Sequence, residues 1–372
     1  MNGINHETIL KMGRYNSLSI KDVRPERVSN LYKFMVRLRR CQEALIKEYH
    51  PADEIRCPVH FCIGQEAVPA ALSQLIRPED HLLSHHRNHG YYFAKGGSMK
   101  ALFAELYGRE TGANGGIAGS QDISVHDVNF CSGAILTGVV AIAVGVGFGL
   151  KGKKEGNVAI AGFGDGATDQ GLFWEAINYA ILHKLPVVFL CENNRYSTYS
   201  PQFKRQAKEN ISEKVASFGM RVQSIFGNDV ILAHSVISDA VERSRAGEGP
   251  SFIEAFTYRL NAHVGPEDDD YLEYRPKAEL DFWERNCPIT LLEEKMVAHK
   301  LLNSVEKEMM VVEIDKEISE AFGFAKISKF PNVIDWAKLN YSTNSPLADR
   351  LLRDIELSEF NQNQEEALPG PY

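Results

Sequence analysis

Apolar positions along the chain fall into two periods. VSNLYKFMVRLRRCQEALIKEYH (28–50), QEAVPAALSQLI (65–76) and SMKALFAELYGR (98–109) repeat apolar residues three and four apart, which predicts helices with one buried face. NVAIAG (157–162), LPVVFLC (185–191) and SFIEAFTYRL (251–260) are short apolar runs, which predict strands. LFWEAINYAIL (172–182) has helical spacing and lies between the first two of those runs. The order strand, helix, strand over 157–194 is therefore a βαβ unit with parallel strands. Both of its polar motifs, GFGDGATDQG (162–171) and ENN (192–194), follow the C-terminal ends of strands, where open α/β sheets bind ligands.

AILTGVVAIAVGVGFGL (134–150) runs for 17 residues without a charge, close to a membrane span. Thr137, Ala141, Gly145 and Gly149 recur every four residues and give one helix face of small side chains. No second apolar span exists and the segment runs directly into the βαβ unit, so a buried helix in an assembly is expected instead. KGKK (151–154) reads as a solvated turn. Residues 1–44 are expected to be a peripheral helical segment, 45–276 an α/β domain, 277–360 a charged helical region and 361–372 a mobile tail.

Composition narrows the class. A chain of 372 residues with 44% hydrophobic and 24% charged residues can bury a full core. A formal net charge of −8 gives no support for nucleic-acid binding. Six cysteines without a CxxC pair, and no signal-peptide pattern, point to reduced thiols and a cytoplasmic location.

Asp165 stands between Gly164 and Gly166, which remove the Cβ atoms that keep a bulky anion away. Its carboxylate, the Asn194 side chain and the Tyr196 carbonyl can form part of an octahedral oxygen shell, leaving positions for phosphate and water, as Mg2+ prefers. The helix starting near Gly171 is expected to add donors for the phosphates. The same residues also fit a plain arrangement in which Asp165 caps that helix and Asn194 forms a turn. His60 has Cys57 and Cys62 near it, but their spacing completes no zinc set.

GDG followed by a helix, a strand and NN resembles the thiamine-diphosphate fingerprint. GDGATDQGLFWEAINYAILHKLPVVFLCENNRY (164–196) is similar, more closely, to the α subunits of the E1 components of 2-oxo acid dehydrogenases. HFCIGQEAV (60–68), RPEDHLLSHHRNHG (77–90), LFAELYGRETG (102–112) and FIEAFTYRLNAH (252–263) extend the likeness over roughly 45–275. SHHRNHGYYFAKG (84–96) looks most like the acetoin-dehydrogenase branch. The resemblance implies a thiamine-binding α/β fold with a parallel sheet flanked by helices. It implies thiamine diphosphate and Mg2+ held against an E1 β-type subunit in an α2β2 assembly. It also implies cleavage of a 2-oxo acid or acetoin and transfer of the acyl fragment to a lipoyl-bearing E2. By that likeness Asp165, Asn194 and Tyr196 hold the metal, and Gly164, Gly166, Ala167 and Arg87 meet the diphosphate. Ala134 and Leu136 meet the pyrimidine, with Leu136 propping the thiazolium. His60 and His263 are the active-site histidines, and His263 and His86 also lie against the cofactor. His86 stands where the pyruvate enzymes have tyrosine. The glutamate that activates the cofactor belongs to the β subunit, so this chain alone is expected to lack full activity.

Several positions depart from the family pattern. Ala262-His263-Val264 lacks the regulatory serine, so no phosphorylation is expected there. Ser132-Gly133-Ala134 replaces a glycine–asparagine–glycine step, Gly138-Val139-Val140-Ala141 replaces Gly-Gln-x-Pro, and AGSQD (118–122) puts Asp122 where a histidine is usual. A non-oxidative thiamine decarboxylase or carboligase and a degenerate scaffold subunit remain as alternative readings.

Overall fold

Six parallel strands carry the fold, and the predicted runs supply its middle. The computed structural model describes residues 6–52, 54–55, 57–153 and 155–332. The strands are β1 (His81–Ser84), β2 (Ser124–Val125), β3 (Phe130–Ser132), β4 (Ala159–Gly164), β5 (Val187–Asn193), β6 (Tyr196–Ser197), β7 (Ser200–Pro201), β8 (Arg221–Phe226) and β9 (Ser251–Phe256). Seven form one sheet in the order β2-β3-β1-β4-β5-β9-β8, and β6 pairs with β7 in a separate short ribbon. Every neighbouring pair in the large sheet is parallel except β2 with β3.

The helices before and within the sheet are α1 (His6–Lys11), α2 (Pro25–Ala52), α3 (Ala67–Ser73), α4 (His89–Ala94), α5 (Met99–Leu106), α6 (Gly138–Lys153) and α7 (Gly171–Leu182). Then follow α8 (Gln202–Arg205), α9 (Ile211–Ala216), α10 (Val230–Arg245), α11 (Lys277–Arg285), α12 (Pro288–Ala298) and α13 (Ser304–Ile327). Alternate strand residues feed two buried clusters, one on each face. Leu82, Ile160, Val188 and Leu190 join the larger cluster, whereas Leu83, Ala161, Phe163 and Phe189 join the smaller one with α6 and α7. Burial on both faces explains why these strands read as continuous apolar runs.

The pattern placed β4 and β5 two residues too early. Hydrogen bonding decides their ends: Gly164 still pairs with Glu192, so the ladder runs into the polar motifs. The run 251–260 leaves the sheet after Phe256, and Leu260 N donates to Ile63 O (3.0 Å) instead. α6 begins at Gly138, and its last turn contains Lys151 and Lys153, so the expected basic turn is a helix C-terminus. α6 buries Val140, Ala143, Val144 and Gly147, while Gly145 and Gly149 face outward. The small-residue face is thus buried at Thr137 and left uncovered at Gly145 and Gly149 by the described residues. α2 runs unbroken through residue 44, the expected segment boundary, and buries Leu31, Met35, Leu38, Cys41 and Leu45. Arg37 and Arg40 on α2 pair with Glu317 and Asp315 on α13 (2.5 and 2.6 Å). All six cysteines are free. No helix of the described residues is long and apolar enough to cross a membrane. The rest of the expected helical region to 360, and the expected tail 361–372, lie outside the described residues.

Candidate active site

Sheet order sets the place of the site. The chain moves from β1 to β3 on one side and then returns to β4, β5 and β9 on the other, so the order reverses between β1 and β4. Loops leaving adjacent strands in opposite directions open a crevice at their carboxyl ends. β1 ends at Ser84 and delivers His85, His86 and Arg87 there. β3 delivers Ala134 and Leu136, β4 delivers Gly164 to Ala167, and β5 delivers Asn194 and Tyr196. β9 leads on to His263, and His60 comes from the segment before α3. Gly64 lets that segment close in: its φ is +94°, and a Cβ there would collide with Tyr258 O.

All of the residues expected at the site line one cavity of about 240 Å³, together with His85, Gln121, Ser197 and Thr198. The start of α7, expected to supply phosphate donors, is not among the lining residues. A 3₁₀ turn over Asp165–Asp169 separates it from the cavity, and the lining backbone is Gly164–Ala167. A Cβ on Gly166 would lie 2.9 Å from Ser197 Oγ and 3.6 Å from Leu136 Cδ1, so glycine keeps this cradle open.

The cavity holds two opposite charges. Arg87 is buried, donates to Phe61 O and to His263 O (3.1 Å), and makes no ion pair among the described residues. Burial, with Arg259 nearby, lowers its pKa to about 9. A guanidinium buried without an ion-pair partner calls for an anionic ligand. Asp165 is 1% exposed, and burial raises its pKa against the opposing pull of Arg205. Arg205 at the end of α8 pairs through Nη2 with Asp165 Oδ2 and through Nη1 with Asp169.

Asn194 Oδ1 accepts from Tyr196 N (3.1 Å) across a tight turn in which Arg195 adopts φ +69°. Asn194 Nδ2 donates to Gln65 Oε1 (3.3 Å), which fixes the amide. The Tyr196 hydroxyl donates to Glu279 (2.5 Å), anchoring that side chain. A carboxylate, an amide oxygen and a backbone carbonyl on one wall, with Arg87 in the same cavity, suit a divalent cation carrying a diphosphate. Ala134 N donates to Asp122 Oδ1 (2.8 Å), so its N–H is already engaged. The expected pyrimidine contact from Ala134 is therefore left to its carbonyl.

His60, His86 and His263 form a cluster. Ring centroids lie 4.3 Å apart for His60 and His86, 4.9 Å for His60 and His263, and 5.6 Å for His86 and His263. Burial, then Arg87, takes the His60 pKa to about 2 and the His263 pKa to about 3. His86 is also held well below its ordinary value by burial, then His85. All three are neutral at physiological pH. Sequence reasoning missed Arg205, which lies 40 residues from Asp165 in a polar stretch without a motif. It also left Gln65 without a role, although Gln65 sits inside the GQEA run.

An α/β sheet with a buried arginine and a glycine-flanked aspartate in one cavity at its switch point suits an enzyme that binds an anionic cofactor. The family model for the dehydrogenase E1 component matches residues 33–334. The chain belongs to that family, of thiamine-diphosphate-dependent oxidoreductases acting on 2-oxo acids. It is 33% identical over 328 residues to the testis-specific mitochondrial pyruvate dehydrogenase E1 component subunit alpha of Rattus norvegicus, covering 87% of this chain and 82% of the relative. The corresponding subunit of Porphyra purpurea is 32% identical over 294 residues, covering 77% and 85%. The human somatic mitochondrial form is 33% identical over 323 residues, covering 86% and 80%.

Proposed function

We propose that the chain is the α subunit of an E1 enzyme that cleaves a 2-oxo acid or acetoin with thiamine diphosphate and Mg2+, alongside a β-type subunit, and passes the acyl fragment to a lipoyl-bearing E2. The observation that carries this reading is one cavity holding Arg87, buried without an ion-pair partner among the described residues, beside Asp165, buried at a glycine-flanked turn. Thiamine diphosphate, when bound, supplies the nucleophilic carbon and the electron sink for breaking a bond to the substrate carbonyl. Asp165, Asn194 and the Tyr196 carbonyl hold Mg2+, and Arg87 with the Gly164–Ala167 backbone holds the diphosphate. Leu136 would pack its side chain against the rings of the bound cofactor, and the Ala134 carbonyl would meet its pyrimidine. His60 and His263 orient the substrate through neutral rings, and they move protons at its oxygen once the bound diphosphate offsets the Arg87 charge that lowers their pKa values. His86 fills the same wall against the cofactor. The named relatives are pyruvate enzymes and α subunits, which supports a 2-oxo acid and a β-type partner. α2β2 stoichiometry and a cytoplasmic location belong to the same proposal.

The test is co-expression with a β-type partner. Reduction of an artificial electron acceptor is then followed with pyruvate, branched 2-oxo acids or acetoin, with Asp165→Ala as control. Turnover of one substrate that is lost in the variant is the expected result. Carbon dioxide or a ligated product without acceptor reduction would instead establish non-oxidative chemistry, and no product with any substrate would leave a scaffold subunit.

A further inference from the structure

We propose that Glu105 is a positioning residue, whose carboxylate shapes the glycine-rich loop 111–122 so that Gln121 and Asp122 stand at one wall of the cavity. The inference rests on the cofactor reading above. Glu105 lies in the last turn of α5 and is 1% exposed. Its Oε2 accepts from Asn114 N (2.7 Å) and Gly116 N (2.9 Å), and its Oε1 from Ala118 N (2.7 Å) and Gly119 N (3.2 Å). It makes no ion pair among the described residues, so these four N–H groups balance its buried charge. Glycine lets them converge: Gly116 has φ +80° and Gly119 φ +61°, and a Cβ on Gly116 would lie 2.5 Å from Gly108 C. Loops of this kind often form a nest for a bound anion. Here the chain's own carboxylate fills it.

The hold continues to the cavity. Gln121, two residues after Gly119, lines it. Between them Ser120 is 1% exposed: its carbonyl accepts from Asn88 Nδ2 (2.7 Å), and its Oγ lies 2.9 Å from His89 Nε2. Gln121 O accepts from Ser132 Oγ (2.9 Å), and Asp122 Oδ1 accepts from Ala134 N (2.8 Å). Asn88 and His89 follow Arg87, and Ser132 ends β3, so the loop is tied to two strand ends that deliver cavity residues. Glu105 itself does not line the cavity, so it acts through Gln121 and Asp122. An amide at this position cannot replace the carboxylate, because its NH2 group would face two of the backbone N–H groups, donor against donor. The course of the loop from Asn114 to Gly119 is then no longer set.

The test uses the chain co-expressed with a β-type subunit, freed of cofactor, and titrates thiamine diphosphate at saturating Mg2+. Glu105→Gln is expected to raise the Kd roughly three- to tenfold, and to speed hydrogen exchange at the amides of residues 114–119. Made in a chain already carrying Gln121→Ala and Asp122→Ala, the same change should move the Kd by less than about twofold. A merely structural role would give the same factor in both backgrounds. If the thermal midpoint shows that Glu105→Gln is poorly folded, Glu105→Asp, which keeps the charge on a shorter side chain, takes its place in each measurement. Unchanged exchange, an unmoved Kd, or an equal loss in both backgrounds would each overturn the proposal while cofactor binding by the unaltered protein still stood. Unaltered protein that binds no thiamine diphosphate would overturn the cofactor reading, and the proposal with it.

Discussion

Arg205 divides the two oxygens of Asp165 between two tasks. Its guanidinium takes Oδ2 and shares its other nitrogen with Asp169, and on the proposed metal site this holds the carboxylate in one orientation with Oδ1 turned to the ion. Partners one step removed from a metal orient its ligands, and their loss commonly costs about 10- to 100-fold in affinity. Arg205→Gln is therefore expected to raise the Mg2+ Kd by on the order of tenfold or more, with partial rescue by Arg205→Lys, as read by calorimetry at saturating thiamine diphosphate. Equal Mg2+ affinity in all three proteins would mean that Arg205 only tethers the turn. Asp122 acts similarly on the loop that carries Ala134 and Leu136, through its 2.8 Å bond to Ala134 N. Asp122→Ala removes that acceptor and is expected to cost about 1 kcal/mol of cofactor binding. Asp122→Asn keeps an acceptor oxygen and should recover most of it, and a cofactor Kd unmoved in Asp122→Ala would refute the role.

Two glycines of α6 should respond in opposite ways. A Cβ on Gly147 would collide with Val187 Cγ2 on β5, whereas one on Gly145 would meet nothing within 4 Å. Gly147→Ala is expected to lose about 1–3 kcal/mol by overpacking, and Gly145→Ala to gain about 0.5–1 kcal/mol from helix propensity. Urea denaturation of the separately expressed chain compares them, and equal stability would show that α6 does not pack on β5 as described. The sequence displays both glycines alike, in one apolar run, because periodicity reports apolarity and not which neighbour each face meets. The same limit explains the strand ends: Glu192 and Asn193 are polar yet belong to β5, since backbone pairing with β4 and β9 continues past the apolar residues. The βαβ unit and its motifs were legible because strand, turn, helix and strand are contiguous. Arg205 was not, and Asp122 was noticed only as a departure from pattern, because each acts on a segment that only tertiary folding brings near.

Gly145 and Gly149 lie on the outward side of α6, between large apolar groups that are also uncovered. Ile142 is 55% exposed, Phe148 53% and Leu182 72%, and Phe148 packs its ring against Tyr179 and His183 of the neighbouring α7 region. A contiguous exposed apolar patch of this kind marks a protein interface more often than free surface. Small residues at its centre permit a second backbone to approach closely. On the α-subunit reading, the β-type partner is expected to cover this face. Gly145→Leu tests that placement, because the added side chain enters open space in the isolated chain but blocks the approach of a partner. The variant should keep the thermal midpoint of the separately expressed chain and fail to co-elute with the β-type subunit. Co-elution at unchanged affinity would place the partner on another face, since a branched side chain cannot be accommodated where two helices meet through glycine.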